Sequence, residues 1–275
     1  MVLVNDFGEL PIDADLIESQ DGDTLNLANG CACCSMGGDL FNALVDALNR
    51  SPRPDHLLIE ASGVADPVRI ANIALAEPDL SLDSTVSIID AENIGDLVND
   101  NQIGETVTHQ LVSSDLILVN KLDLIDPLQK PGLIKLLDDL APNAQKIETE
   151  YSQIPVDVVI GSHKREVIMG QEDLLAVDHS EPYIKWSKTF ENRLDRAQFE
   201  KVLDDLGNRL LRLKGIVYFS DNDLPFVVQY VASRWTITRT ETIRKYDRNL
   251  SRIVAIGLKN VIGSSELDAL FLKYY

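Results

Sequence analysis

Residues 115–124 read Asp-Leu-Ile-Leu-Val-Asn-Lys-Leu-Asp-Leu. The four apolar residues Leu116, Ile117, Leu118 and Val119, bounded by polar groups on both sides, have the length and composition of a buried strand. Three other runs in the first half share this form. Val2–Val4 precedes Asn5-Asp6-Phe7-Gly8, Leu57–Ile59 precedes Glu60-Ala61-Ser62-Gly63, and Thr85–Ile89 precedes Asp90. Between them, Leu40, Phe41, Leu44, Val45 and Leu48 recur at helical spacing, as do Ile103, Val107 and Leu111. Strands alternating with helices predict an α/β fold with a mostly parallel sheet and flanking helices. In such sheets ligands bind at the carboxyl ends of the strands, where each of these runs turns polar.

The second half reads differently. Tyr183–Lys188 has strand character, and Phe199, Val202, Leu203, Leu206 and Leu210 form a helical stripe. Ile216–Phe219, Phe226–Val231, Arg234–Thr238 and Ile253–Leu258 then read as consecutive strands before a helix near Ser265–Leu272. This predicts a smaller α+β domain with a largely antiparallel sheet. Charge marks the same division. The chain of 275 residues carries −19 in all, resolving into −23 over residues 1–178 and +4 over residues 179–275. The polar stretch from Val177 to Pro182 is the expected junction.

An acidic chain of this kind lacks the Lys/Arg surface that phosphate backbones require, which argues against nucleic acid. No apolar run approaches the roughly 18 residues of a membrane span. The first residues also lack the basic and apolar regions of a secretory signal. All three cysteines, Cys31, Cys33 and Cys34, fall within four residues. An odd number so close together cannot form a disulfide framework. The expected setting is the reducing cytoplasm, where clustered thiolates serve metal or redox chemistry.

Asn120-Lys121-Leu122-Asp123 carries the sharpest chemistry. An aspartate there can accept hydrogen bonds from the two adjacent N–H donors of guanine, a pattern adenine lacks. The asparagine meets the other side of the base and the lysine stem covers it. Mismatch leaves buried polar groups unpaired, so discrimination is strong. Four letters alone fit a strand end running into a polar turn; the strand before them and the motifs that follow favour guanine. Glu60, ending its apolar run, suits ordering Mg²⁺ beside phosphates, and Gly63 lets a backbone N–H approach a terminal phosphate. Taken alone, that run fits a buried strand with a capping carboxylate equally well. Cys31, Cys33 and Cys34 precede a helix whose N-terminus favours thiolate. They can supply three corners of a tetrahedral Zn²⁺ site, with a fourth ligand from elsewhere.

Read together, NDFGELPIDADLI, NGCACC, IEASGVADP and NKLD resemble the CobW family of P-loop GTPases, relatives of the urease and hydrogenase nickel-insertion GTPases. LLRLKGIVYF and RIVAIGL resemble that family's C-terminal domain, so the likeness covers almost the whole chain. It implies a GTP-binding and GTP-hydrolysing metallochaperone, with nucleotide state controlling release of Zn²⁺ or Co²⁺ to a client metalloprotein. By position, the resemblance assigns Cys31, Cys33 and Cys34 to the metal, Glu60 and Gly63 to the Walker B and switch II elements, and Asn120, Lys121 and Asp123 to guanine. Glu9, in a switch-like segment, is expected near Mg²⁺ or the transported metal. A nucleotide- or metal-dependent dimer is a further expectation.

One departure qualifies this. None of the 15 glycines precedes a lysine, so the sequence contains no Walker A motif. The chain starts where the family's second strand is expected, and a preceding strand–loop–helix of about 30 residues is therefore anticipated. A metal-binding protein that has lost nucleotide binding is the competing expectation. The intact guanine motif favours the incomplete chain. The histidines, His56, His109, His163 and His179, show no metal-ligand spacing, and His109 is expected to face solvent. Asp90 reads as a loop cap, Gly37-Gly38 as a loop pair, and Trp186, Trp235, Tyr218 and Phe219 as core.

Overall fold

The computed structural model describes residues 1–4, 24–26, 36–61, 66–161, 182–240 and 250–272. The parallel character predicted for the first half is present, in two three-stranded groups. Strands β1 (Val2–Val4), β2 (Thr24–Asn26) and β3 (Leu58–Glu60) form one sheet in the order β2-β1-β3. Helices α1 (Met36–Leu48) and α2 (Pro67–Ala76) accompany it. Leu3, Leu40, Ala43 and Leu44 are buried there, with Ile59, Ile70 and Ile73 packed against them. The apolar positions of α1 recur at spacings of three and four, which places one stripe on the sheet. Gly37 and Gly38 lie inside α1 rather than in a loop ahead of it. Asp66 starts α2 by accepting the Val68 N–H at 2.9 Å, with Pro67 at the first helical position.

The second parallel sheet has the order β4-β5-β6, from Val86–Asp90, Leu116–Asn120 and Gln145–Glu148. Its central strand β5 buries Leu116, Ile117, Leu118 and Val119 at 0–3% exposure. A strand covered on both faces needs such a continuous apolar run. Short helix α3 (Ile94–Val98) follows β4, and α4 (Gly104–Val112) precedes β5. Helix α5 (Lys130–Leu140) precedes β6, and α6 (Val156–Ile160) follows it.

The antiparallel sheet has the order β10-β9-β8-β11-β7. Its strands are β7 (Tyr183–Phe190), β8 (Leu210–Tyr218), β9 (Pro225–Val231), β10 (Arg234–Arg239) and β11 (Ser251–Leu258). Helices α7 (Arg196–Leu206) and α8 (Ser264–Leu272) complete it. Phe199, Val202, Leu203 and Leu206 of α7 join Phe219, Phe226 and Phe271 in one core, where Trp186 stacks on Phe271 at 5.1 Å. Trp186, Tyr218 and Phe219 are core as expected, and Trp235 is partly buried with its indole N–H on Asp204. Leu210 opens β8 instead of closing the helix. Gly207, at φ 56°, ends α7 where a residue with Cβ would be strained.

The chain divides into two compact units. One comprises residues 1–82 and 102–113; the other comprises residues 83–101 and 114–275. In the second unit the β4-β5-β6 sheet and the antiparallel sheet share a core of Leu116, Leu118, Ile147, Val158, Leu211, Val231 and Ile256. Among the described residues, no helix is long and apolar enough to cross a membrane.

Candidate functional site

Register places the candidate residues. In the second sheet, Asp90 pairs with Asn120 and Val119 with Glu148, so the three strands end together. The carboxyl edge thus gathers Asp90, the Asn120–Asp123 loop and the loop after β6. Asn120 ends β5. Lys121 takes a left-handed backbone, φ 60° and ψ 34°, uncommon for a residue with Cβ. That bend turns the chain into the short 3₁₀ helix Leu122–Leu124, where Asp123 is exposed and open to a ligand. All three guanine candidates therefore occupy one strand-to-loop turn.

Two neighbours brace this turn. The Asn120 Oδ1 accepts the Ser152 N–H at 2.8 Å, tying the loop after β6 to the motif. Thr149 extends the β6 pairing through its N–H to the Val119 carbonyl, 3.0 Å, and its hydroxyl donates to the Gln153 carbonyl at 3.0 Å. Tyr151 and Ser152 both have φ 53°, and Tyr151 is 80% exposed beside the site. The sequence reading passed over this loop. The strand before it, Gln-Lys-Ile-Glu, has a single apolar residue and gives no apolar run to mark the loop.

On the other side stands Asp90. Its Oδ2 accepts from Lys121 Nζ at 2.8 Å and from Asn93 Nδ2 at 3.0 Å, while Oδ1 accepts the Glu92 N–H at 3.0 Å. The Lys121 hydrogen bond, then that of Asn93, holds the Asp90 carboxyl down at about 2. The same partnership raises Lys121 above the ordinary lysine range. The loop-cap reading of Asp90 is correct for its Asn93 and Glu92 contacts. The bond to Lys121 is an addition that local sequence could not supply.

The first sheet carries one further candidate, Glu60, at its carboxyl edge. Val4 pairs with Asn26 and with Glu60, so β1, β2 and β3 also end in register. Glu60 is exposed at that edge. From these three ends the chain enters residues 5–10, 27–35 and 62–65. Glu9, Cys31, Cys33, Cys34 and Gly63 fall in those segments and lie outside the described residues. Among the described residues, no group of three His, Cys, Asp or Glu is placed to hold a metal. His109 is 56% exposed, as expected, with Nδ1 3.7 Å from Asp66 Oδ1.

A buried ionic joint lies at the other end of these strands, around the entries to β4 and β5. Arg212 of β8 is 1% exposed, and its guanidinium donates to Asp83 Oδ2 at 2.8 Å, Ser84 Oγ at 2.6 Å and the carbonyls of Val158 and Val159. Burial pulls its pKa down while Asp83 opposes that shift. Lys214 donates to the Ile160 carbonyl at 2.8 Å, so two cations cap the last carbonyls of α6. Arg234 pairs with Asp115, at the entry to β5, at 2.8 Å. Basic residues of the C-terminal sheet thus meet acidic residues of the preceding part at Asp83, Asp115 and Asp157.

Comparison with known proteins places the chain in a family. Residues 1–148 match the family described as CobW/HypB/UreG, nucleotide-binding domain, and residues 183–273 match the cobalamin synthesis protein cobW C-terminal domain. The zinc chaperone CobW of Sinorhizobium sp is 23% identical over 94% of this chain and 85% of its own length. The zinc chaperone YeiR of Escherichia coli (strain K12) is 31% identical over 56% of this chain and 47% of its own. The zinc-regulated GTPase metalloprotein activator 1 of Saccharomyces cerevisiae is 28% identical over 59% of this chain and 44% of its own. Among solved structures, Zn(II)-bound YjiA GTPase from E. coli aligns at 18% identity and a TM-score of 0.41, over 100% of this chain and 90% of that one. With the nucleotide-binding domain matching more than half its length and the C-terminal domain following in order, the chain belongs to the CobW/HypB/UreG family.

Proposed function

We propose that this chain is a GTP-binding metal chaperone of the reducing cytoplasm. In this reading Cys31, Cys33 and Cys34, with Glu9, hold Zn²⁺ or Co²⁺ as cargo. Residues 1–178 hold nucleotide and metal, and residues 179–275 form the C-terminal domain. One observation carries it: Asn120, Lys121 and Asp123 share the carboxyl edge of a buried parallel strand, and the Asp123 carboxylate is open. The relatives' descriptions as zinc chaperones and as a zinc-regulated GTPase activator support the cargo assignment.

Each group has a task that its chemistry allows. Asp123 accepts from guanine N1–H and the 2-amino group, Asn120 fixes the turn through Ser152, and the Lys121 stem covers the ring. Glu60 is a single exposed carboxylate at a strand end, which fits Mg²⁺, an ion that takes one or two carboxylates together with substrate phosphates. Bound there, Mg²⁺ would neutralise charge on the phosphates. The Gly63 N–H is the donor assigned to the terminal phosphate. Hydrolysis gates the transfer of metal from the thiolates to a client metalloprotein, and a dimer forms with nucleotide or metal.

Cobalt titration of the reduced protein, with and without GTP, tests the reading. Thiolate charge-transfer bands whose strength changes with GTP, and no longer respond to GTP in Asp123→Ala, are expected. Bands indifferent to GTP in both proteins would leave a metal-binding module without nucleotide control. No bands at all would remove the metal role.

A further inference from the structure

We propose that Asp90 is a positioning residue for guanine-nucleotide binding, holding Lys121 away from Asp123 so that the Asp123 carboxylate stays open to the base. This rests on the guanine reading of Asn120–Asp123 given above.

The argument starts from distances and sequence spacing. Lys121 precedes Asp123 by two residues in a tight 3₁₀ turn, and both side chains are exposed. A lysine on a flexible four-carbon stem beside an open carboxylate has a ready partner in it. A charge-assisted bond between them would compete with the neutral N–H donors of guanine for the same oxygens. In this structure the ammonium is engaged elsewhere, 2.8 Å from Asp90 Oδ2.

Asp90 is built as an anchor rather than a follower. Its carboxylate is fixed independently of the lysine by the Asn93 side chain and the Glu92 N–H, both at 3.0 Å. The backbone on either side is locked as well. Asp90 and Asn120 are register partners, and the Ala91 N–H donates to the Asn120 carbonyl at 2.9 Å. Lys121 is therefore drawn sideways, from the β5 turn toward the β4 turn, along the carboxyl edge of the sheet. That direction lays its stem beside the turn while leaving Asp123 unoccupied. With Lys121 51% exposed, the pair does not serve to satisfy a buried charge, and exposed pairs of this kind contribute little to stability. Its consequence falls on the ligand side.

A double-mutant cycle read by saturation-transfer NMR, with GDP and ADP as probes in Mg²⁺ buffer, tests this on the full chain. Asp90→Ala is expected to weaken GDP about 10-fold, by loss of preorganisation and capture of Asp123, with ADP unchanged. The double variant Asp90→Ala/Lys121→Ala is expected to bind GDP no more weakly than Lys121→Ala alone, because Asp90 acts only through Lys121. Losses that multiply in the double variant, or an Asp90→Ala protein matching wild type, overturn the role of Asp90 and leave the guanine reading standing. A wild-type chain that does not prefer GDP to ADP, and is indifferent to Asp123→Ala, overturns both.

Discussion

Arg212 on the antiparallel sheet places Nη1 2.8 Å from Asp83 Oδ2, in the segment that leads into strand β4. The two residues are 129 positions apart in sequence, and the arginine is 1% exposed. Four of its donor hydrogens go to Asp83, Ser84 and the α6 carbonyls, so the segment leading into β4 is bonded directly to the C-terminal sheet.

Truncating that arginine leaves Asp83 without its main partner and uncaps buried carbonyls. Arg212→Met is expected to destabilise the protein by about 3–5 kcal/mol, because removing one member of a buried pair strands the other. Thermal unfolding followed by circular dichroism checks it, with a fall in midpoint of about 10 °C expected. Adding Asp83→Asn to Arg212→Met is expected to recover part of the loss. An unchanged midpoint in the single variant would contradict the assignment.

The Asp90–Lys121 pair has a signed pH dependence. Asp90 is held at about 2 when folded, against 3.8 for an ordinary aspartate. A depressed carboxyl pKa means stability that is fully present above pH 4 and lost as pH falls toward 2. Lys121, raised by the same contact, contributes below pH 10.5 and loses that contribution as pH rises beyond it. Urea titrations of wild type and Asp90→Asn should differ by a small constant amount, of the size an exposed pair contributes, between about pH 5 and 9 and converge at both extremes. A difference that grows on acidification would have the wrong sign.

Core and site substitutions should separate cleanly. Leu116 is fully buried in β5, and Leu116→Ala is expected to cost about 2–5 kcal/mol through lost burial and a cavity. Asp123 is exposed nearby, and Asp123→Ala should shift stability by no more than about 0.5 kcal/mol while removing guanine preference. Denaturant midpoints and nucleotide binding on the same two proteins provide the comparison.

The fold's parallel half was legible because its strands are short apolar runs ending abruptly in polar residues, a pattern that needs no tertiary information. The Leu206–Leu210 spacing misled for a physical reason. It continues the helical stripe, but Gly207 at φ 56° stops the helix and Leu210 begins a strand buried on both faces. Such a strand shows no alternation to read. Asn120, Lys121 and Asp123 were legible as one local motif. Asp90, 31 residues from Lys121, and Arg212, within an apolar run, acquire their roles only from strands that pairing and packing bring together.

The three cysteines carry an expectation of their own. Replacing Cys31, Cys33 and Cys34 together by serine should abolish thiolate charge-transfer absorption on Co²⁺ addition, since serine offers no comparable soft ligand at neutral pH. A chelator should strip Co²⁺ from the unmodified protein, and acidification should do the same as thiolates protonate. Retained bands in the triple variant would place the metal elsewhere.

The guanine assignment is tested most directly by exchanging one atom's hydrogen-bonding sense. Asp123→Asn replaces an acceptor with a donor at the position facing the guanine 2-amino group, while xanthine presents a carbonyl there. Titrating wild type and Asp123→Asn with GDP and with xanthosine diphosphate measures the switch. The expected result is GDP preferred by the wild type and xanthosine diphosphate by the variant, each by about 10-fold or more. The same preference in both proteins would contradict the reading of Asn120-Lys121-Leu122-Asp123 as a guanine site.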